Sequence, residues 1–250
     1  RRAGHHRARA RREGAARGRE DLQQSQEASQ ELREGEEATA KEEIQAEVFG
    51  SIKDKMIDCR VSVLPTIDGE KVVLRVLFKD RLDVSLKNAG LSNYSMRLLT
   101  TLLNKPHGLM LVTGPTGSGK TTTLYASLAY MYNPTKSVVT VEDPVEYEIS
   151  YYSQAQVNPE VGLTFASLLR SILRQAPDII LVGEIRDSET AKIACEAAMT
   201  GHYVMSTLHS NDSASSIMRL TEIGVDKFLV SSVLIGSIAQ RLVRRLCAKC

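Results

Sequence analysis

From about residue 108 onwards, short apolar runs alternate along the chain with longer segments of helical spacing. Runs of four to eight residues rich in Val, Ile and Leu are typical of buried strands. The pattern predicts strands over residues 109–112, 138–141, 179–182 and 203–207. It predicts helices over residues 122–131, 165–174, 190–199 and 214–223. Strands that alternate with helices indicate an α/β domain with a mostly parallel sheet.

Other patterns lie before and after these elements. Residues 60–64 and 71–77 read as two strands, and Asp68-Gly69 supplies the turn signal of a hairpin between them. A helix is expected over 95–103. The apolar run 228–239 has the spacing of a buried helix, and it is shorter than the roughly 20 residues of a membrane-spanning helix.

The first 47 residues differ from the rest in composition. Residues 1–20 carry eight Arg against two Glu, and residues 21–47 carry nine acidic against two basic residues. Large apolar side chains are too few to offset the entropy of ordering such a segment. We interpret residues 1–47 as a disordered tail or a piece not native to the protein; the alternative is a basic arm for nucleic acid or anionic lipid.

Overall composition is that of a globular protein. The chain is 42% hydrophobic and 25% charged, with a net charge of +2, so nothing in it demands a nucleic-acid partner. Four cysteines do not form a disulfide framework and favour a reducing cytoplasm. The Arg-rich start lacks the apolar stretch of a secretory signal.

Residues 114–121 fit the phosphate-binding pattern G-x-x-x-x-G-K-[ST] in full. Glycines let backbone N–H groups approach a polyphosphate, Lys120 would reach the β- and γ-phosphates, and the Thr121 hydroxyl would bind Mg²⁺. A predicted strand precedes this loop and a predicted helix follows it, as the motif requires. We expect a nucleoside triphosphate to be bound by Gly114, Pro115, Thr116, Gly117, Ser118, Gly119, Lys120, Thr121 and Thr122.

Acidic residues follow two of the predicted strands. Glu184 comes after the run 179–182 and Gly183, and Glu142 and Asp143 end the run 138–141. Carboxyl ends of parallel strands meet at one edge of a sheet, where ligands bind. Glu184 is our candidate for polarising the attacking water or holding the Mg²⁺ shell, with Glu142 and Asp143 completing the network. The alternative for each is an exposed carboxylate in a turn.

Two histidines flank the predicted strand 203–207. His209 follows it and is a candidate sensor of the γ-phosphate, although histidines in this position are as often ordinary loop or core residues. His202 is the weaker candidate, because Gly201-His202 also reads as a turn before a strand.

Arg60 and Arg75 lie on the predicted hairpin, outside the nucleotide domain. Ring-forming P-loop enzymes often take a transition-state arginine from a neighbouring subunit, and the alternative is that both face solvent. Cys247 and Cys250 form a C-x-x-C pair, which supplies two of the four ligands of a closed zinc site.

Several blocks resemble the secretion ATPases of type II secretion systems and type IV pilus assembly. Residues 114–125 look like the P-loop of that family and 141–146 like its aspartate box; 173–187 are similar to its signature around the Walker B glutamate, and 200–211 to its histidine box. The resemblance runs from about Arg60 to the last residue. It implies a RecA-like P-loop ATPase domain over 91–246, the remnant of a small α+β N-terminal domain over 48–90, and the start of a truncated zinc module over 247–250.

The same resemblance implies roles for the candidate residues. Glu184 becomes the catalytic carboxylate, Glu142 and Asp143 help with metal and water, and His202 and His209 line the site. Arg60 and Arg75 would reach the nucleotide of a neighbouring subunit. The implied cofactors are ATP and Mg²⁺, with Zn²⁺ in a longer protein.

The resemblance also implies partners and a location. Proteins of this family are cytoplasmic hexamers docked on an inner-membrane platform protein, where ATP hydrolysis drives pilin or pseudopilin assembly without direct nucleic-acid binding. Residues 240–247 resemble the lead-in to a tetracysteine zinc module, which favours assembly or secretion over retraction. The alternatives are a RecA-like DNA motor, as in competence or conjugation, and a nucleotide-binding scaffold that does not hydrolyse ATP.

Overall fold

The computed structural model describes residues 44–52, 55–78, 85–244 and 246–247. Most of the expected tail, residues 1–43, and the last cysteine, Cys250, lie outside the described residues. The chain divides into two compact units, Arg1–Phe78 and Lys79–Cys250.

The first unit contains a three-stranded antiparallel sheet in the order β1-β2-β3: β1 (Ile44–Ile52), β2 (Lys55–Thr66) and β3 (Gly69–Phe78). The predicted hairpin is confirmed, with Asp68-Gly69 at its turn, where the Thr66 hydroxyl donates to the Gly69 carbonyl over 2.7 Å. Strand β1 was not predicted, and its first residues belong to the segment that we interpreted as a tail. The period-two alternation of Ile44, Ala46 and Val48 is the local pattern that suits a strand.

The second unit alternates helices and strands, as predicted. Three short 3₁₀ turns accompany them, at Leu86–Asn88, Pro159–Val161 and Leu173–Gln175. In chain order the longer elements are α1 (Asn93–Leu103), β4 (Gly108–Thr113), α2 (Lys120–Met131), β5 (Val138–Glu142), β6 (Ser153–Gln156), α3 (Phe165–Ile172), β7 (Ile179–Val182), α4 (Ser188–Met199), β8 (Tyr203–Leu208), α5 (Ser213–Glu222), α6 (Lys227–Val233) and β9 (Leu234–Ala239).

These strands form a six-stranded sheet in the order β6-β5-β7-β8-β4-β9, and every ladder in it is parallel. The α/β fold with a parallel sheet is therefore confirmed. Because all six strands run the same way, the loops that follow β4, β5, β7, β8 and β9 leave the sheet at one edge. That edge carries the candidate site.

Helices cover both faces of the sheet, which explains the unbroken apolar runs. All six residues of β4 are buried, and they alternate between two cores. Leu109 and Leu111 pack into the core that contains α3 and α4 side chains, whereas Met110 and Val112 pack into the core that contains α1 and α2 side chains. A strand buried on both faces needs apolar residues at every position rather than at every second one.

Two elements differ from the sequence prediction. The run 228–239, expected to be one helix, is helix only as far as Val233 and then becomes β9, which pairs with β4. Gly236 permits this close packing, because a Cβ there would lie 2.5 Å from the Leu102 side chain. Strand β6 was missed because its sequence, Ser-Gln-Ala-Gln, is polar and lies at the sheet edge.

One expectation concerned membranes. In the part of the chain that the structure describes, no helix is both long enough and apolar enough to cross a bilayer.

Candidate nucleotide-binding site

The loop between β4 and α2 has the backbone of a phosphate cradle. Gly114 and Gly119 have positive φ angles of 142° and 84°, a region that residues with side chains rarely adopt. A Cβ at Gly114 would also lie 2.3 Å from the Gln240 carbonyl oxygen and 2.8 Å from Ser118 Oγ. Gly114 is therefore required by both conformation and space, and Gly119 by conformation.

Lys120 and its neighbours sit where the motif predicts. The Lys120 ammonium donates to the Gly114 carbonyl over 2.9 Å and to the Pro115 carbonyl over 3.1 Å, so it lies across the loop. Burial lowers the pKa of Lys120, and the negative charge of Glu184 opposes that shift. Thr121 and Thr122 form the first turn of α2, while Pro115, Thr116 and Gly117 are exposed on the loop.

Glu184 is fixed between neighbouring strands just beyond β7. The Gly183 N–H donates to the Val141 carbonyl over 2.7 Å, and the Ile185 N–H donates to the Thr207 carbonyl over 3.1 Å. These two bonds hold the backbone on either side of Glu184, whose side chain is 16% exposed. The carboxylate is therefore positioned by the sheet and still reachable from solvent.

Glu184 contacts two side chains that can carry positive charge, and a third residue lies beside one of them. Arg186 forms an ion pair with Glu184 Oε1, and His209 Nε2 lies 3.5 Å from Glu184 Oε2. Arg186 also lies 3.7 Å from Asp143 Oδ2. Asp143, Arg186, Glu184 and His209 thus form one continuous set of contacts, in which the catalytic roles of Glu184, Asp143 and His209 stay predictions. We call these four residues the Glu184 cluster.

Arg186 was not singled out as a site residue from the sequence. Its hydrogen bond to Glu184 raises the pKa of Arg186, and the charges of Glu184 and Asp143 add to that effect. The available signal was a basic residue two positions after a strand-end acid, where both side chains lie on the same side of an extended chain.

The side-chain contacts of Glu142 are with core residues rather than with the Glu184 cluster. Tyr125 and Thr140 donate their hydroxyl hydrogens to the Glu142 carboxyl, each over 2.6 Å, and the Gln154 amide donates to it over 3.2 Å. Glu142 is only 4% exposed. A carboxyl that accepts these three hydrogen bonds joins α2 to β5, and its predicted help with metal and water stays a prediction.

His202 is also placed differently from our expectation. It precedes β8, and its carbonyl accepts a hydrogen bond from the Gly108 N–H, at the start of β4, over 3.1 Å. Its Nδ1 lies 2.9 Å from the Ala197 carbonyl oxygen. His202 therefore lies at the amino edge of the sheet, opposite the P-loop of its own chain.

The predicted arginines belong to the first unit. Arg60 and Arg75 are directly opposite each other in the β2–β3 ladder, so they lie on the same face of the hairpin. Their proposed role at a neighbour's nucleotide stays a prediction.

The metal predictions concern two places. Cys247 is exposed and Cys250 lies outside the described residues, so the zinc half-site stays a prediction. Within the described ranges, no group of three or more His, Cys, Asp or Glu could hold a metal ion by itself. Mg²⁺ at a nucleotide usually takes phosphate oxygens and waters as ligands, so Thr121 and Glu184 remain its predicted protein contacts.

Gln240, which was also not singled out from the sequence, contacts the P-loop from the end of β9. The Gln240 side-chain amide donates to the Ser118 carbonyl over 2.7 Å, and the Gln240 N–H donates to the Thr113 carbonyl over 3.0 Å. The sequence signal was a polar residue directly after an apolar run, but that run was interpreted as a helix.

Fold and site together define an α/β protein with a P-loop at the carboxyl edge of a parallel sheet. The chain belongs to the type II/IV secretion system protein family, whose model matches residues 42–250.

Individual relatives agree with this assignment. The chain is 53% identical over 199 residues to the type II secretion system protein E of Dickeya dadantii strain 3937, covering 80% of this chain and 40% of that protein. It is 50% identical over 199 residues to the type II secretion system ATPase E of Vibrio cholerae serotype O1, with the same two shares of 80% and 40%. The chain thus spans about 40% of the length of these relatives.

Solved structures agree on the fold. The crystal structure of the pilus retraction motor PilT with bound ADP superposes with a TM-score of 0.65 and is 36% identical, covering 80% of this chain and 59% of that one.

Proposed function

We propose that this chain is the ATP-hydrolysing part of a motor subunit that drives type II protein secretion or type IV pilus assembly. The observation that carries the proposal is the position of two groups at the carboxyl edge of one sheet. The Lys120 ammonium lies across the P-loop that follows β4, and the Glu184 carboxylate, 16% exposed, follows β7. Family membership supports the secretion and pilus setting.

Binding of ATP would begin at the P-loop. Backbone N–H groups of residues 114–121 and the Lys120 ammonium match the negative charge of the β- and γ-phosphates. Lys120 donates to the Gly114 and Pro115 carbonyls, and bound phosphate oxygens would replace those two acceptors.

Hydrolysis requires a water in line with the terminal phosphorus. In our proposal Glu184 accepts a hydrogen bond from that water, whose oxygen attacks the γ-phosphorus while the bond to the β–γ bridging oxygen breaks, giving ADP and phosphate. His209, beside Glu184, is suited to orient the same water or to contact the γ-phosphate. Arg186 pairs with the Glu184 carboxylate and lies beside Asp143, so it is suited to hold the orientation of that carboxylate.

Mg²⁺ would be held by the Thr121 hydroxyl, with Glu184 near its water shell, and it would neutralise charge on the phosphates. The remaining positive charge is proposed to come from a neighbouring subunit of a homo-hexamer. Arg60 and Arg75, side by side on one face of the first unit, are the candidates for that contact.

The wider setting follows from the relatives. The relatives that we compare are type II secretion proteins. We therefore propose that the motor subunit acts at the cytoplasmic face of the inner membrane, on a platform protein that assembles pseudopilins or pilins. No direct contact with nucleic acid is proposed. A zinc module that includes Cys247 and Cys250 would lie in a longer form of the protein.

The test compares phosphate release by the 250-residue chain with that of Glu184→Gln, using Glu189→Gln as the matched control. Glu189 lies on α4 with a 58% exposed side chain paired with Arg170. We expect Glu184→Gln to lose turnover by about 100-fold or more while it still binds ATP, and Glu189→Gln to match the wild type. Equal turnover in all three would rule out a hydrolytic role for Glu184.

A second arm separates the alternatives. Turnover is measured with single-stranded and duplex DNA, and with liposomes carrying a platform protein of a type II secretion system. Stimulation by the liposomes and not by DNA supports the proposal, and the reverse supports a DNA motor. ATP binding without any phosphate release under either condition identifies a nucleotide-binding scaffold.

A further inference from the structure

Strand β9 brings Gln240 to the P-loop from the side opposite β8. β9 pairs with β4 in parallel as far as Ala239 opposite Thr113, and the Gln240 N–H continues this ladder onto the Thr113 carbonyl over 3.0 Å. The segments that follow β4 and β9 therefore leave the sheet side by side. The first continues into the P-loop and the second begins with Gln240.

The Gln240 side chain holds one peptide group of the loop. Its Nε2 donates to the Ser118 carbonyl over 2.7 Å. A trans peptide points its C=O and its N–H in opposite directions. Fixing the Ser118 carbonyl towards Gln240 therefore turns the N–H of the same peptide, that of Gly119, away from Gln240. An N–H that faces away from the supporting strand is what a phosphate-binding loop needs at this position.

The orientation of the Gln240 amide is set by its acceptor. Gln240 Oε1 is buried and, within the described part of the chain, makes no hydrogen bond. Turning the amide over would aim Oε1 at the Ser118 carbonyl, where two acceptors would repel each other. The donated bond to Ser118 is therefore the polar contact that fixes this side chain.

The contact lies in a partly buried and closely packed place. Ser118 is 2% exposed, and the hydrogen bond from Gln240 is partly buried. Beside it, a Cβ at Gly119 would lie 3.3 Å from Gln240 Nε2 and 3.7 Å from Leu242 Cδ2. Losing the donor would therefore cost the Ser118 carbonyl a well-placed partner.

We propose that Gln240 is a positioning residue that presets the Ser118–Gly119 peptide of the P-loop to receive a phosphate. The inference rests on the proposed nucleotide binding and adds a residue from outside the motif. Without the Gln240 donor, the peptide loses its preferred orientation, and phosphate binding must then supply the ordering.

Affinity is the readout that a purely structural role would leave unchanged. Calorimetric titration with ADP and with inorganic pyrophosphate should give dissociation constants about tenfold weaker for Gln240→Ala than for the wild type, for both ligands. In turnover, the KM for ATP should rise more than kcat falls, because the contact acts on bound substrate and transition state alike.

Ser237→Ala is the matched control, because Ser237 lies on the same strand and its hydroxyl contacts the Ser216 hydroxyl over 2.7 Å. It should lower the thermal unfolding midpoint and leave ADP affinity within about twofold of the wild type. Gln240→Ala with unchanged affinity for ADP and pyrophosphate would overturn the proposal, whatever its stability.

Gln240→Met keeps the approximate length of the side chain and covers the case in which the alanine variant fails to fold. A thioether has no hydrogen to donate to Ser118 and adds no charge beside the phosphates. Its loss of ADP affinity should therefore be close to that of Gln240→Ala. Wild-type affinity in Gln240→Met would contradict the role of the donated bond. If the wild-type chain bound neither ligand, the proposed function itself would fail, a result distinct from normal wild-type binding with an unaffected variant.

Discussion

Glu142 and Glu184 occupy similar places in the chain but very different surroundings. One ends β5, the other follows the adjacent strand β7 by two residues, and both strands finish at the same sheet edge. Glu142 is 4% exposed and accepts hydrogen bonds from Tyr125, Thr140 and Gln154. Glu184 instead contacts Arg186 and His209 and acts on the charge of Lys120.

The difference follows from the direction in which each side chain points at the end of its strand. Successive residues of a strand point to opposite faces, so Glu142 shares a face with Thr140 and turns towards α2, while Asp143 turns towards Arg186. The buried carboxyl fastens the P-loop helix to β5 through Tyr125. The accessible carboxylate remains available for chemistry in the proposed mechanism.

The largest predicted effect on folding comes from Glu142→Ala. Removing the carboxyl takes the acceptor from the Thr140 hydroxyl and the shorter of two hydrogen bonds from the Tyr125 hydroxyl, which keeps the Tyr147 carbonyl, and it opens a cavity. The free energy of unfolding should therefore fall by about 3 kcal/mol. Urea denaturation followed by circular dichroism measures it. Glu189→Ala, at an exposed position, should change it by less than about 0.5 kcal/mol. If Glu142→Ala lowered the free energy of unfolding no more than Glu189→Ala does, the structural role of Glu142 would be contradicted.

A substitution in the Glu184 cluster should change ATP turnover more than the free energy of unfolding. Arg186→Ala frees the Glu184 carboxylate from its ion pair, so we expect ATP turnover to fall by about tenfold. Because the Arg186 side chain is 60% exposed, the unfolding free energy should change by less than about 1 kcal/mol. Arg170→Ala is the control, since Arg170 is exposed and paired with Glu189 on α4. Equal turnover in the two variants would contradict a role for Arg186.

Tyr125→Phe tests the same buried network with a smaller change. Burial and the nearby Glu142 raise the pKa of the Tyr125 hydroxyl well above its usual value, so that it serves as a donor. Losing this donor should lower the unfolding free energy by about 1 kcal/mol, and Tyr94→Phe, at a 65% exposed residue, should have no measurable effect. Turnover per folded molecule should stay close to the wild type in both variants.

The smallest expected effect is a change of ADP affinity with pH. The pKa of Lys120 lies below its ordinary 10.5 in the free protein because of burial, and bound polyphosphate favours the ammonium form. ADP affinity should therefore be constant below the lowered pKa of Lys120 and fall as the pH rises through it, by at most about tenfold per pH unit.

The two glutamates should act differently on this pH profile. Glu184→Gln removes the charge that opposes the lowering, so the fall in ADP affinity should begin at lower pH. Glu142→Gln should leave the profile in place. Titrations from pH 7 to 10 distinguish the two, and identical shifts in both variants would contradict the coupling between Lys120 and Glu184.

Much of the fold and the P-loop was predictable from the sequence because the signals are local. The Val, Ile and Leu runs of β4, β5, β7 and β8 are confirmed as strands, and Asp187 caps α4 by accepting from the Thr190 N–H over 2.8 Å. The P-loop was predictable for the same reason, because glycines at fixed spacing indicate a backbone with positive φ angles.

What the sequence did not predict depends on contacts between distant segments. The run 228–239 suits either a helix or a strand, and its division at Val233 follows from pairing with β4, more than a hundred residues earlier. Gln240 could not be placed until β9 was. The role of Glu142 depended on where Tyr125 arrives from α2, which strand alternation alone does not give.

The most direct test of the central claim measures phosphate release and ATP binding side by side for Glu184→Gln and Glu142→Gln, each normalised to the folded fraction. We predict that Glu184→Gln binds ATP but releases almost no phosphate, and that Glu142→Gln is less stable yet turns over ATP at close to the wild-type rate. The opposite pattern, with turnover lost at Glu142 and kept at Glu184, would contradict it.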